Sequence, residues 1–92
     1  MRVTVQYGAQ VRAAAGTASE CVEVEPGCEL RGLLKQLAVR HGQSFRDLLL
    51  DEAGQPRPSN LAVVGEEMVR WNDPRPLRDG AEVTIFSPIS GG

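Results

Sequence analysis

The chain has 92 residues, of which 41% are hydrophobic, 24% charged and 4% aromatic, and its formal net charge is -2. This length fits one domain with a modest core, built mainly from Val, Leu and Ile. The slightly acidic balance argues against nucleic-acid binding, which favours a clustered basic face, and no apolar run approaches the roughly 18 residues of a membrane helix. Because the first eight residues alternate instead of forming the apolar block of a signal peptide, we expect a cytoplasmic protein without a membrane partner.

Two alternating segments come first in the chain. Residues 2–7 (RVTVQY) place an apolar residue at every second position, and residues 20–25 alternate again before a stop at Pro26. Both patterns predict strands. Residues 8–19 are mostly small and include two glycines, so they favour a hairpin loop, although their alanines leave a helix open. We therefore predict that the first two strands form an antiparallel hairpin.

The next segment, residues 28–42, changes to a helical period. Its apolar residues form one stripe at helical spacing, namely Leu30, Leu33, Leu34, Leu37 and Ala38. Gly42 stands where a left-handed C-cap belongs, and His41 lies in the last turn, where a partly positive imidazole suits the helix dipole. That position favours a structural role for His41 over a catalytic one. Gly32 inside the helix suggests a close approach between helix and sheet.

The remaining segments complete a mixed fold. Residues 43–54 predict a short second helix and residues 55–59 a surface loop. Residues 60–64 and 68–71 read as a second hairpin, and residues 81–86 as the last strand.

The order of these elements is typical of one architecture. A hairpin, a crossover helix and further strands predict an α+β protein of the β-grasp, ubiquitin-like class, with a mixed sheet of four or five strands packed on one main helix. The first and last strands would be central and parallel. Residues 1–86 would form the domain, and residues 87–92 a positioned tail that leaves from a buried strand.

The chain has few groups suited to chemistry. Cys21 and Cys28 fit neither a disulfide framework nor a zinc site, because zinc sites need closer pairs and further ligands. The sequence contains no recognisable nucleophile–base pair, so we expect no catalysis by this chain alone and no bound cofactor.

The stretch PLRDGAEVTIFSPISGG, residues 76–92, resembles the C-terminal signature of the MoaD/ThiS family of ubiquitin-like sulfur carriers. The matching positions are Pro76, Leu77, Asp79, Gly80, Glu82, Val83, Phe86, Pro88, Gly91 and Gly92. Residues 63–69 also match the last hairpin of the family. Two positions depart from it: Ser87 stands where molybdopterin carriers often have Pro, and Ser90 replaces a more usual Ala or Thr.

The resemblance implies that an ATP-using partner of the ubiquitin-activating type adenylates Gly92. A sulfur donor would then form a C-terminal thiocarboxylate that delivers sulfur to a biosynthetic enzyme. The residue chemistry agrees, because an α-carboxyl is ionised at neutral pH and glycine leaves its carbonyl carbon unhindered. Residues 87–92 span at most ~20 Å when extended, which is enough to enter the active site of a partner.

The other tail residues have parts in the same expectation. Pro88, Ile89, Ser90 and Gly91 would thread the partner's active site, with Pro88 lowering the cost of ordering the tail. Phe86 and Ile89 would be apolar anchors at its root and would contact the partner.

Three functions remain open from the sequence. A sulfur carrier of the molybdopterin type, serving the large subunit of molybdopterin synthase, is favoured; carriers for cysteine, thiamine or another thio-metabolite are close behind. A protein modifier conjugated through Gly92 to lysines is the alternative, although Lys35 is the only lysine for chain building. The third is a non-covalent β-grasp interaction module with an inert tail. Without its partners we expect the chain to be a monomer.

Overall fold

The computed structural model describes residues 1–57 and 60–86. The strands are β1 (Arg2–Tyr7), β2 (Ser19–Glu23), β3 (Leu61–Val64), β4 (Glu67–Val69) and β5 (Glu82–Phe86). The helices are α1 (Ala9–Ala15), α2 (Leu30–His41) and α3 (Gln43–Leu49). No helix in these ranges has the length and apolar character needed to cross a membrane.

The five strands form one mixed sheet in the order β2-β1-β5-β3-β4. β1 and β5 pair in parallel, with Val5 opposite Val83, whereas the other three pairs are antiparallel. The antiparallel pairing predicted for both hairpins and the parallel pairing of the first and last strands are therefore confirmed. β5 lies between β1 and β3, so it is hydrogen-bonded along both sides.

The inner face of the sheet is covered by all three helices. Strand residues of this face alternate along the chain and form the sheet side of the core: Val3, Val5, Tyr7, Val22, Ala62, Val83 and Ile85. The predicted leucine stripe of α2 packs against them, and Phe45 and Leu49 of α3 join the same cluster. Each fully buried Leu or Phe contributes about 1.5–3 kcal/mol of transfer free energy, so this interface provides most of the stability.

The segment between β1 and β2 is a helix and not the predicted hairpin loop. α1 is only seven residues long, and a helix of that length is unstable in isolation. Val11, which is fully buried, anchors α1 in the core. Gly16 then ends it in the left-handed conformation, with φ 77° and ψ 9°, and its N–H donates to the carbonyl oxygen of Arg12. Tertiary burial of one valine thus decides the ambiguity that the alanines left.

Two expectations about glycines of α2 were wrong. Gly42 has φ 90° but ψ -164°, so its backbone is extended in ψ and is not the left-handed cap. The chain turns there directly into α3, and only glycine accepts that φ easily. A Cβ at Gly32 would meet the Sγ of Cys28 at 3.2 Å, so Gly32 accommodates the loop before the helix and not the sheet.

Candidate partner-docking site

The last strand, β5, ends at Phe86, and residues 87–92 follow it directly in the chain. Val83 and Ile85 are fully buried on the inner face of the sheet. The Gly8 N–H donates to the carbonyl oxygen of Ile85 at 3.0 Å, which continues the β1–β5 ladder beyond Tyr7. Pairing with β3 extends to Phe86, which lies opposite Leu61. The strand is therefore fixed on both sides as far as Ile85, and Phe86 is held by its pairing with β3.

Gly8 is fitted closely to that residue. A Cβ at position 8 would lie 3.2 Å from the Cβ of Phe86, closer than ordinary packing allows. Gly8 has an ordinary extended conformation, with φ -110° and ψ 149°, so close approach and not backbone strain explains the glycine. A side chain at this position would push Phe86 away from the sheet.

Phe86 belongs to an apolar patch on the outer face, the side of the sheet opposite the helices. Alternation places Phe86 and Leu61, a cross-strand pair, on this face, together with Val63 and its partner Met68. Phe86, Leu61 and Val63 are half-buried, and Met68 is 60% exposed. We call these four residues the apolar patch. Exposed apolar groups gathered in this way mark interaction surfaces.

The other half of the outer face is polar. On β1 and β2 it carries Arg2, which pairs with Glu23 at 3.3 Å, and the exposed thiol of Cys21 beside Thr4. Gln6 and Thr84 lie between the two halves. The outer face is thus divided, and its apolar half adjoins the end of β5.

The tail residues predicted to act, Pro88, Ile89, Ser90, Gly91 and Gly92, lie outside the described residues. Phe86 is described, and the structure places it at the end of β5 within the apolar patch. Its predicted contact with a partner remains a prediction.

A partly buried polar cluster ties the end of α2 to the first two strands. The Tyr7 hydroxyl donates to Glu20 Oε2 at 2.6 Å, and His41 Nε2 bonds to the same oxygen. Arg40 Nε pairs with Glu20 Oε1 at 2.8 Å. The His41 ring also packs against Phe45, with ring centroids 4.9 Å apart. These contacts support the structural role predicted for His41 and were not visible as a motif, because Tyr7, Glu20 and the Arg40–His41 pair are far apart in sequence.

The hydrogen-bond donors and the positive charge of this cluster favour the ionised form of Glu20. Burial works to raise the pKa of Glu20, but hydrogen bonds from Tyr7 and His41, with the charge of Arg40, hold that pKa below its ordinary value. Burial and the hydrogen bond to Glu20 raise the pKa of Tyr7 well above its usual range. Glu20 therefore stays ionised and Tyr7 neutral at neutral pH, and the cluster acts as a fixed tie within the fold.

The cysteines and acidic residues do not converge on one point. Cys21 and Cys28 are both free, and burial with the nearby Glu29 raises the pKa of the Cys28 thiol. Within residues 1–57 and 60–86, no three His, Cys, Asp or Glu side chains lie together in a way that could hold a metal ion.

Comparison with known proteins assigns the family. The model of the ThiS family matches residues 5–92. The chain belongs to the ThiS family. It is 32% identical over 92 residues to the molybdopterin synthase sulfur carrier subunit of Chlamydomonas reinhardtii, and the alignment covers all of both chains.

Solved structures confirm the ubiquitin-like β-grasp fold of this ThiS-family chain. Urm1 from Trypanosoma brucei is 27% identical with a TM-score of 0.76, covering 99% of this chain and 95% of that one. SAMP1 from Haloferax volcanii has a TM-score of 0.87 at 18% identity and covers 100% of both chains; at that identity the likeness concerns the fold alone.

Proposed function

We propose that this chain is a sulfur carrier that works through the carboxylate of Gly92. The observation that carries the proposal is the extent of the family match, which continues past the described domain and includes Gly91 and Gly92. The full-length relative named as a molybdopterin synthase sulfur carrier subunit supports the same function. We accordingly favour molybdopterin synthesis as the pathway, with other thio-metabolites as the alternatives.

The chemistry requires two steps on one carbonyl carbon. In the first, a carboxylate oxygen of Gly92 attacks the α-phosphorus of ATP and pyrophosphate leaves, which gives an acyl-adenylate. In the second, hydrosulfide attacks the acyl carbon, the C–O bond breaks and AMP leaves with its electron pair, and loss of the S–H proton gives the thiocarboxylate. ATP, the activating enzyme and the sulfur donor are partners of the chain and not parts of it.

The fold would contribute position and recognition. β5 holds Phe86 firmly, so residues 87–92 start from a fixed point beside the apolar patch. A partner that covers Phe86 and Met68 would have its active site within reach of Gly92, since six extended residues span at most ~20 Å. Residues 1–86 would then be the docking domain and residues 87–92 the reacting segment.

The proposal is tested by incubating the chain with the activating enzyme of the same organism, ATP and a sulfide source, followed by intact-mass measurement. The expected product is heavier by the difference between a sulfur and an oxygen atom. A matched chain lacking Gly92 should stay unmodified and should not support ATP–pyrophosphate exchange. Adducts to other proteins that survive reducing agent, without the sulfur-bearing product, would instead support the modifier. The absence of both products would support an inert interaction module.

A further inference from the structure

A cleft lies beside the end of β4, and nothing in the proposed sulfur chemistry uses it. We call it the β4 cleft; its volume is about 720 Å³ and its lining includes Arg31, Asn60, Leu61, Met68, Arg70 and Trp71. Cavities of this size hold small ligands or a few residues of a peptide. We propose that the β4 cleft binds an acidic peptide segment of a partner protein.

Two residues that line this cleft each carry a buried polar atom that has no hydrogen-bond partner among the described residues. Asn60 is 4% exposed and Trp71 is 5% exposed. The Asn60 side-chain amide donates to the carbonyl oxygens of Leu48 at 3.4 Å and Leu49 at 3.2 Å, and this fixes its orientation with Oδ1 as a free acceptor. Among the residues that the structure describes, neither Asn60 Oδ1 nor Trp71 Nε1 has a hydrogen-bond partner. A buried polar group without a hydrogen-bond partner is unfavourable, so a ligand that satisfies both groups would gain affinity from them.

The two atoms form a complementary pair. In the β3–β4 ladder Ala62 is opposite Val69, and the same register brings Asn60 and Trp71 to the same end of the two strands. Two lining residues of the cleft therefore carry one buried acceptor and one buried donor. A peptide group carries both the N–H and the C=O that match them, whereas a free carboxylate or phosphate carries acceptors only.

The positive charge of the cleft lining favours peptides that carry an acidic side chain. Its described lining contains Arg31 and Arg70 and no Asp or Glu, in a chain whose net charge is -2. Arg31 donates to the amide oxygen of Gln55 at 2.7 Å, and neither arginine makes an ion pair within residues 1–57 and 60–86. The planar guanidinium group of arginine can donate two parallel hydrogen bonds to a carboxylate. A peptide with an acidic side chain beside the bound peptide group should therefore bind more tightly.

The place of the cleft favours a polypeptide over a nucleotide. Leu61 and Met68 belong both to the apolar patch and to the cleft, so a protein lying on the patch continues into the cleft. β4 is also the last strand in the order of the sheet, where an extended segment can approach. The two polar atoms are shielded from solvent, so a peptide group can reach them only when side chains of the cleft wall move. The inference stands whether or not Gly92 is activated.

The test uses the single tryptophan of the chain, whose indole N–H gives one resolved NMR signal. The probe is the methylamide of N-acetylglutamate, which combines peptide groups with a carboxylate. We expect a saturable shift of the Trp71 indole signal. Acetate, N-methylacetamide and the methylamide of N-acetyllysine, each lacking one feature, should bind at least several-fold more weakly. No saturable response of the indole signal, as expected for a site filled by water alone, would overturn the proposal, and so would tighter binding of AMP.

Two variants locate the effect. Arg70→Glu should weaken the glutamate probe roughly tenfold or more, because it removes a charge-assisted hydrogen bond. Arg12→Glu makes the same charge change on α1, outside the cleft, and should leave the affinity unchanged. Trp71→Phe should weaken binding when the Met68 methyl signal is the reporter. Equal losses in the two arginine variants would show a general charge effect and would contradict the site.

Discussion

Ile85 and Phe86 are neighbours on the same strand, yet they belong to two different regions of the molecule. Ile85 points to the inner face, where it is fully buried among the helices, and Phe86 points to the outer face, where it is half-buried in the apolar patch. Alternation along a strand thus separates the residues that hold the fold from those that meet solvent or a partner. Substitutions on one face should therefore change stability, and substitutions on the other should change the proposed docking surface, independently of each other.

The largest change in stability is expected from the inner face. Ile85→Ala removes a fully buried side chain from the central strand and should lower the free energy of unfolding by about 2–5 kcal/mol, measured by urea titration. At temperatures at which the variant stays folded, its rate of activation should be close to that of the parent. A loss below about 1 kcal/mol would show that the core can refill the cavity and would weaken the contrast between the faces.

The polar cluster of the inner face should give the next largest effect. Glu20→Gln removes the charge that Tyr7, His41 and Arg40 surround and should cost about 1–3 kcal/mol at neutral pH. Glu23→Gln on the outer face breaks only the exposed pair with Arg2 and should cost no more than about 0.5 kcal/mol. Similar losses in both variants would mean that burial does not distinguish these carboxylates.

The same cluster predicts that the free energy of unfolding decreases at acidic pH. The pKa of Glu20 is lower in the folded chain than its ordinary value of 4.5, so the folded state holds the proton less tightly than the unfolded state. Its contribution is therefore complete above that value and is lost as pH falls towards the folded pKa. Urea titrations at a series of acidic pH values should show that the free energy of unfolding falls less steeply with decreasing pH in Glu20→Gln than in the parent chain. The same pH dependence in both chains would assign the loss of stability in acid to other carboxylates.

Changes to the apolar patch should affect binding much more than folding. Phe86→Ala should lower stability by about 1 kcal/mol or less, because the side chain is only half-buried. It should slow activation roughly tenfold or more if Phe86 is a central contact of the partner. Gln6→Ala, on the same face but outside the patch, is the matched control and should do neither. An unchanged activation rate in Phe86→Ala would remove the patch from the docking surface.

The smallest effect on stability is expected from the tail. Deletion of Gly91 and Gly92 should leave the free energy of unfolding within about 0.5 kcal/mol of the parent, while activation is abolished. A loss of cooperative unfolding in the shortened chain would show that the glycines are part of the fold and would contradict the division at residue 86.

Patterns within short segments were enough to predict the strands and the helix stripe, and the order of these elements predicted the mixed sheet with its parallel central pair. Local signals failed at residues 9–15, where burial of Val11 in the distant core makes a helix out of a segment that suited a loop. They also failed at Gly32, whose neighbour is a thiol in the preceding loop.

The contacts among polar groups also could not be predicted from local sequence patterns. Tyr7, Glu20 and His41 come together only after the sheet and α2 have packed, and so do Asn60 and Trp71 at the β4 cleft. The proposed reactive residues could be named from the C-terminal motif, whereas the surface that would present them needed the fold.

The central claim is that Gly92 carries the sulfur. Its most direct measurement is fragmentation mass spectrometry of the intact chain after incubation with the activating enzyme, ATP and sulfide. The account predicts that the added mass lies on the C-terminal fragment that contains Gly92, and that fragments containing Cys21 and Cys28 are unchanged. Added sulfur on either cysteine, with Gly92 unmodified, would contradict the account.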